Sequence, residues 1–295
     1  WHGCPFKSLS SIIRPKNLVS PEIPRNSIKQ LWKVVQRLVN LKSINLNHSE
    51  HLTEIPSLSL ATNLESLNFQ RYTSLLETHS SIRHLNKFVA RNLKHCRSLT
   101  NLSTSIHLES LKKLILSGCS NLMSFPELFY NIKELSLDGT AINELPSSIE
   151  YLSKLVILNL GNSSRLEGLP SKICKLKSLQ HLNLSCCSNL ESFPNELRNL
   201  FPCDLYDIEA HWCSSLETLS GLSIIFTKIS RNTQSFDFIN CFKLHQNVVQ
   251  GIINNAQLKL QLPTSNLKTQ AIIIIVLKYN NSAQSNVNRD VREPT

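Results

Sequence analysis

Nine cysteines and ten histidines are the residues of this chain best equipped for chemistry, as thiolate nucleophiles, metal ligands or proton carriers. Their spacing argues against each of those uses. His79, His84 and His95 form the closest histidine grouping, yet no nucleophile elbow and no paired carboxylates accompany them. The cysteines show neither a zinc-knuckle spacing nor a C-x-x-C pair, and their odd number fits a reducing compartment better than a disulfide framework. Asn47, Asn101, Asn162, Asn183 and Asn280 stand in N-x-[ST] triplets, the acceptor sequence for glycosylation in secreted proteins. No catalytic residue, no metal ligand and no cofactor is assigned.

What positions these residues is a period. The pattern apolar-x-x-apolar-x-apolar begins at Leu41, Leu64, Leu111, Ile132, Leu155 and Leu179, with weaker copies at Leu18, Phe88 and Leu205. Successive starts are separated by 23, 23, 24, 23, 21, 23, 24 and 26 residues. A second apolar site follows ten or eleven residues later in eight of the copies, from Leu52 to Leu216. In five of them a proline comes next, at Pro56, Pro126, Pro146, Pro170 and Pro194, where the lost N–H donor must end any strand. Alternation within the core pattern predicts a short half-buried strand in each copy, and Ser147, Ser148 and Ser171 are expected to cap short helical returns. One coil cannot bury its apolar face alone, whereas a stack of nine can. In this register Cys96, Cys119, Cys187 and Cys213 all fall eight residues after a start, in a column shared with Ser49, Tyr72, Thr140 and Ser163. An interrupted column of small residues reads as a packed ladder rather than a metal site.

The composition, with 41% hydrophobic and 18% charged residues, is that of a globular protein. A formal charge of +10 is spread along the chain with no run of basic residues, so nucleic acid is not the expected partner. The longest apolar run, Ala271 to Leu277, is short of the ~20 residues a membrane span needs. The segment from Trp1 shows no basic-then-apolar leader, which points away from secretion.

Leu114-Ile115-Leu116-Ser117-Gly118-Cys119-Ser120-Asn121-Leu122, together with the proline endings, resembles the leucine-rich repeats of plant nucleotide-binding immune receptors carrying a TIR domain. The opening stretch from Trp1 to Leu9 is similar to the start of that family's repeat region. The stretch from Phe236 to Leu244 is similar to the signature opening its jelly-roll-like post-repeat domain. The resemblance implies an α/β leucine-rich-repeat solenoid with a partial β-rich post-repeat segment. It divides the chain into a lead-in over 1–17, about nine repeats over 18–222, the start of the post-repeat domain over 223–262, and an irregular or disordered tail over 263–295. In the family such repeats recognise a pathogen effector or a guarded host protein and contact the nucleotide-binding domain to restrain its switch, in the cytoplasm or nucleus. The NAD-cleaving activity belongs to the TIR domain, which this sequence does not contain, and no membrane attachment is implied. Two departures predict irregular coils: Arg91 at a core-leucine position and Ser20-Pro21 inside the Leu18 copy.

Side chains between the core leucines leave the concave side of such a sheet. There Lys112, Lys113 and Lys133 beside Ile115, Val156 and Ile157 read as an apolar patch with a charged rim. With Glu134, Asn159, Gln180, His181 and Tyr206 these are the candidate partner-binding residues for a protein ligand. Two other readings of the chain are a secreted or cell-surface leucine-rich-repeat recognition protein and the substrate-binding arm of a multidomain enzyme such as a ubiquitin ligase.

Overall fold

The computed structural model describes residues 17–29, 31–32, 37–52, 57–75, 85–102, 109–125, 130–200, 205, 207–219, 234–245, 247–248 and 273–276. The expectations for the Trp1 opening, Pro56, Pro126, His79, His84 and Tyr206 lie outside these residues.

Eight strands sit two residues after eight of the nine expected starts: β1 (Ser43–Asn45), β2 (Ser66–Asn68), β3 (Ala90–Asn92), β4 (Lys113–Ile115), β5 (Glu134–Ser136), β6 (Ile157–Asn159), β7 (His181–Asn183) and β8 (Asp207–Glu209). All pair in parallel with their sequence neighbours and in matching register, so that Ile44, Leu67, Arg91, Leu114, Leu135, Leu158, Leu182 and Ile208 form one row. That row is buried while its strand neighbours are half-buried, the burial expected when one face of the pleat meets a core. The apolar starts from Leu41 to Leu205, and the later apolar positions from Leu52 to Leu216, join it in a single continuous core.

The Leu18 copy behaves as its Pro21 predicts: it contributes a single bridge, Glu22 to Asn45, instead of a strand. Arg91, by contrast, does not disturb its coil. β3 keeps the common register, with the guanidinium drawn into the core row. Backbone pairing on both sides fixes the strand, and the side chain follows.

The sheet also runs past the boundary expected at 222. β9 (Gln234–Asp237) pairs in parallel with β8, and β10 (Ile273–Val276) with β9, making ten strands in order. The residues read as a post-repeat signature thus occupy repeat positions, with Phe236 level with Ile208. The missed start is Thr233, a polar residue where an apolar one marks the other coils. Within the stretch expected to be an irregular or disordered tail, residues 273–276 form a strand, and their run of β-branched Ile and Val residues favours the extended chain.

Returns differ from expectation in their caps. After Pro146, Pro170 and Pro194 the chain forms 3-10 turns over Ser147–Tyr151, Ser171–Lys175 and Asn195–Leu200. In the first two the N-cap is the proline itself with no side-chain cap, so the serines do not act as caps. Proline's fixed φ of −64° in both already sets the turn, and Ile149 and Ile173 anchor these turns in the core.

Candidate functional site

Three devices recur along the coils. In the first, the asparagine or aspartate immediately after the buried strand centre accepts a hydrogen bond from the backbone N–H two residues on, at 2.9–3.2 Å for Asn45, Asn68, Asn92, Asn159, Asn183 and Asp237 (the Asp as its carboxylate). The chain then passes through one residue with left-handed φ, in ten consecutive coils: Arg25, His48, Arg71, His95, Gly118, Gly139, Asn162, Cys186, Trp212 and Asn240. Only two of these are glycine, the residue for which this conformation is free of strain. Sequence reading missed this column, although Gly118, Gly139 and Asn162, one in each of three successive coils, were its visible signal.

The third device is the column immediately after. Cys96, Cys119, Cys187, Cys213 and Cys241 each donate to a backbone carbonyl of the preceding coil, at 3.0–3.2 Å. Ser163 makes the same bond, and Asn26 reaches Ser49 at the column's head. Burial pushes the Cys96 thiol up to about 11 and those of Cys119 and Cys187 to about 12, while a hydrogen bond with Cys241 and burial raise that of Cys213. These are protonated donors in a packed ladder. Among the described residues no three His, Cys, Asp or Glu side chains converge to hold a metal ion.

The concave face is what the coils leave open, and the structure divides the candidate residues there. Ile157, Asn159 and His181 line a groove of about 260 Å³ together with Asn183, Asp207 and Glu209. Lys112 and Lys133 instead line a larger hollow of about 540 Å³ with Asn86, Val89, Glu109, Asn131 and Lys154, at the edge where the strands begin. Lys113 is paired with Glu134 at 2.7 Å, which removes both from any free basic patch. Ile115, Val156 and Ile157 are half-buried rather than fully exposed, because side chains of the adjacent strands, about 4.8 Å away, flank them. Gln180 is half-buried beside them. Asn159 is committed to its turn and to Asp138 at 3.2 Å, so its amide is a structural group first.

Toward the C-terminal coils the face turns acidic. His181 Nδ1 lies 3.0 Å from Asp207, Asn183 donates to Glu209 at 2.5 Å, and His211 lies 3.6 Å from Asp237. Asp207 and Glu209 belong to the coil that carries Tyr206, and with Asp237 they are acidic groups of this face that the expected set omitted. The face thus runs from lysine-rich at β4 and β5, through the half-buried Ile157, to carboxylates at β8 and β9.

Outside this face, Arg91 Nε is buried without a hydrogen-bond partner, and burial lowers the guanidinium to about 10. Trp212 and Phe242 form an exposed edge-to-face pair with ring centres 6.3 Å apart.

No protein-family model matches the chain. Over 167 residues, 57% of its length, it is 40% identical to disease resistance protein RPP2A of Arabidopsis thaliana and 37% identical to disease resistance protein RML1A of the same plant. The matched stretch spans 13% and 17% of those two relatives. Among solved structures, a leucine-rich-repeat protein of Leptospira interrogans superposes with a TM-score of 0.63 at 22% identity, covering 90% of this chain and 62% of that one. The architecture is a leucine-rich-repeat solenoid, and the relatives it matches in sequence are plant disease resistance proteins.

Proposed function

We propose that these coils are the recognition module of an intracellular plant immune receptor, acting in the cytoplasm or nucleus. It senses a pathogen effector or a guarded host protein on its concave face and, through contact with a nucleotide-binding domain, biases that domain's switch. One observation carries the reading: a sheet face graded from lysines to carboxylates, with a groove beside Ile157, displayed by coils similar to those of disease resistance proteins. Such a face suits a protein ligand, because charge steers encounter and a small apolar centre supplies affinity. Work on the switch comes from ligand affinity that differs between its two states.

The test is a pair of face-directed variants in a full receptor carrying these coils, read as ligand-triggered cell death in leaf tissue. Ile157→Asp with Lys133→Glu abolishes the response while the protein still accumulates; Lys175→Glu, on an exposed return turn, leaves it intact. A response that survives the first pair sinks the concave-face reading.

A further inference from the structure

The period that leaves the basic residues scattered in sequence gathers some of them in space. Arg25, His48, Arg71 and His95 occupy the left-handed position of four consecutive coils, so they stack along one edge of the solenoid, where the strands end. Lys94 precedes His95 and Arg97 follows it on the same edge. A pocket of about 270 Å³ opens there, lined by Glu50, Arg71, Thr73, His95 and Arg97.

We propose that this edge pocket binds a phosphate monoester, with Arg71 and Arg97 as the charged donors and Thr73 and His95 completing the cradle. Its lining supplies two guanidiniums, a hydroxyl and an imidazole, the donor set that a tetrahedral dianion accepts from. Among the described residues neither Arg71 nor Arg97 forms an ion pair, and Glu50 is the lone acidic group in the lining. Partial burial first, then Lys94, Arg71 and Arg97, hold the His95 imidazole below its ordinary value, with Asp138 opposing them. Three cations therefore act on His95 at the pocket wall. The backbone supports the same reading. Arg71 and His95 keep large side chains at φ of 60°, where the next two coils use glycine. Gly118 in turn makes room for the His95 ring, since a Cβ there would lie 2.2 Å from Nδ1.

A single monoester fits better than a nucleic-acid backbone. Glu50 interrupts the edge between His48 and Arg71, and the aromatic ring of that stretch, Tyr72, is buried and cannot stack on bases. This site is separate from the concave face and stands whether or not that face binds a partner.

The experiment is an amide-resolved NMR titration of the whole chain at fixed ionic strength. Its probes are a phosphoserine tripeptide, the unphosphorylated peptide, inorganic phosphate and a single-stranded oligonucleotide. The expected result is a saturable response to the phosphopeptide centred on residues 71–73 and 95–97, and none to the unphosphorylated peptide. Arg71→Gly and Arg97→Ala, both at exposed positions that leave the fold intact, each weaken binding about tenfold, while Lys154→Ala on the opposite edge does not. Phosphopeptide binding tighter than that of inorganic phosphate identifies a phosphorylated protein as the source, and equal binding identifies the free ion. The proposal is overturned if the two arginine variants bind as the parent does, or if the oligonucleotide binds more tightly with shifts running on to Arg25 and His48.

Discussion

The coils of β1 to β3 and those of β5 to β7 share one backbone, yet they reach it by different routes. In the later group the strand-row residues are Leu135, Leu158 and Leu182, and the left-handed position begins with Gly139 and Asn162. Proline-started 3-10 turns close two of these coils with buried isoleucines. In the earlier group the row contains Arg91, and the left-handed position holds His48, Arg71 and His95. A repeat array tolerates such local violations because neighbouring coils on both sides hold the strand in register. Register is therefore a property of the stack, whereas stability remains a property of each coil's own residues.

The comparison can be broken first at a row position of the later group. Leu158→Ala leaves a cavity between Leu135 and Leu182 and is expected to lower stability by about 3 kcal/mol. The measurement is the urea midpoint. A loss below about 1 kcal/mol would show the later coils to be as loosely packed as their short strands allow. The opposite change applies in the earlier group. Arg91→Leu removes a buried cation with an unpartnered Nε and is expected to raise stability by about 2 kcal/mol. No gain in midpoint would mean that the guanidinium is better compensated than its surroundings imply.

A smaller effect sharpens the left-handed column. Gly118→Ala places a Cβ against His95 and adds backbone strain at φ 71°, for an expected loss of about 2 kcal/mol. Arg71→Gly relieves the same strain but loosens the unfolded chain, for a net gain of about 0.5 kcal/mol. Opposite signs at one structural position, read in the same melting experiment, are the expected signature; equal signs would refute the strain account.

The fold was legible because its signal repeats. The apolar pattern marked eight strands, each beginning two residues after a start, and Pro21 marked the coil that forms only a bridge. β9 escaped notice because Thr233 replaces the apolar start, although Phe236, Phe238, Cys241 and Leu244 keep the later positions. The candidate face was legible only as a direction. Sequence places Lys112, Lys113, Lys133 and Ile157 on strands, but which of them share a groove depends on side-chain pairing such as Lys113 with Glu134. The basic edge was hidden by reading charge along the chain. Arg25, His48, Arg71 and His95 are neighbours only once the period is folded.

The smallest effect tests the same two regions through pH. Burial and the nearby Lys94, Arg71 and Arg97 hold His95 below its ordinary value of 6.5, so the unfolded chain binds this proton more readily than the folded one. Stability from this source is complete above the unfolded value and is lost as pH falls through it. Lowering the pH from 7.5 to 5.5 is therefore expected to reduce the melting temperature of the parent chain slightly more than that of His95→Gln, with salt reducing the difference. Because His95 sits over Gly118, the same experiment probes the junction between the two groups of coils. A parent and variant that fall together would mean that the cations around His95 are already screened, and that the basic edge carries less field than its geometry provides.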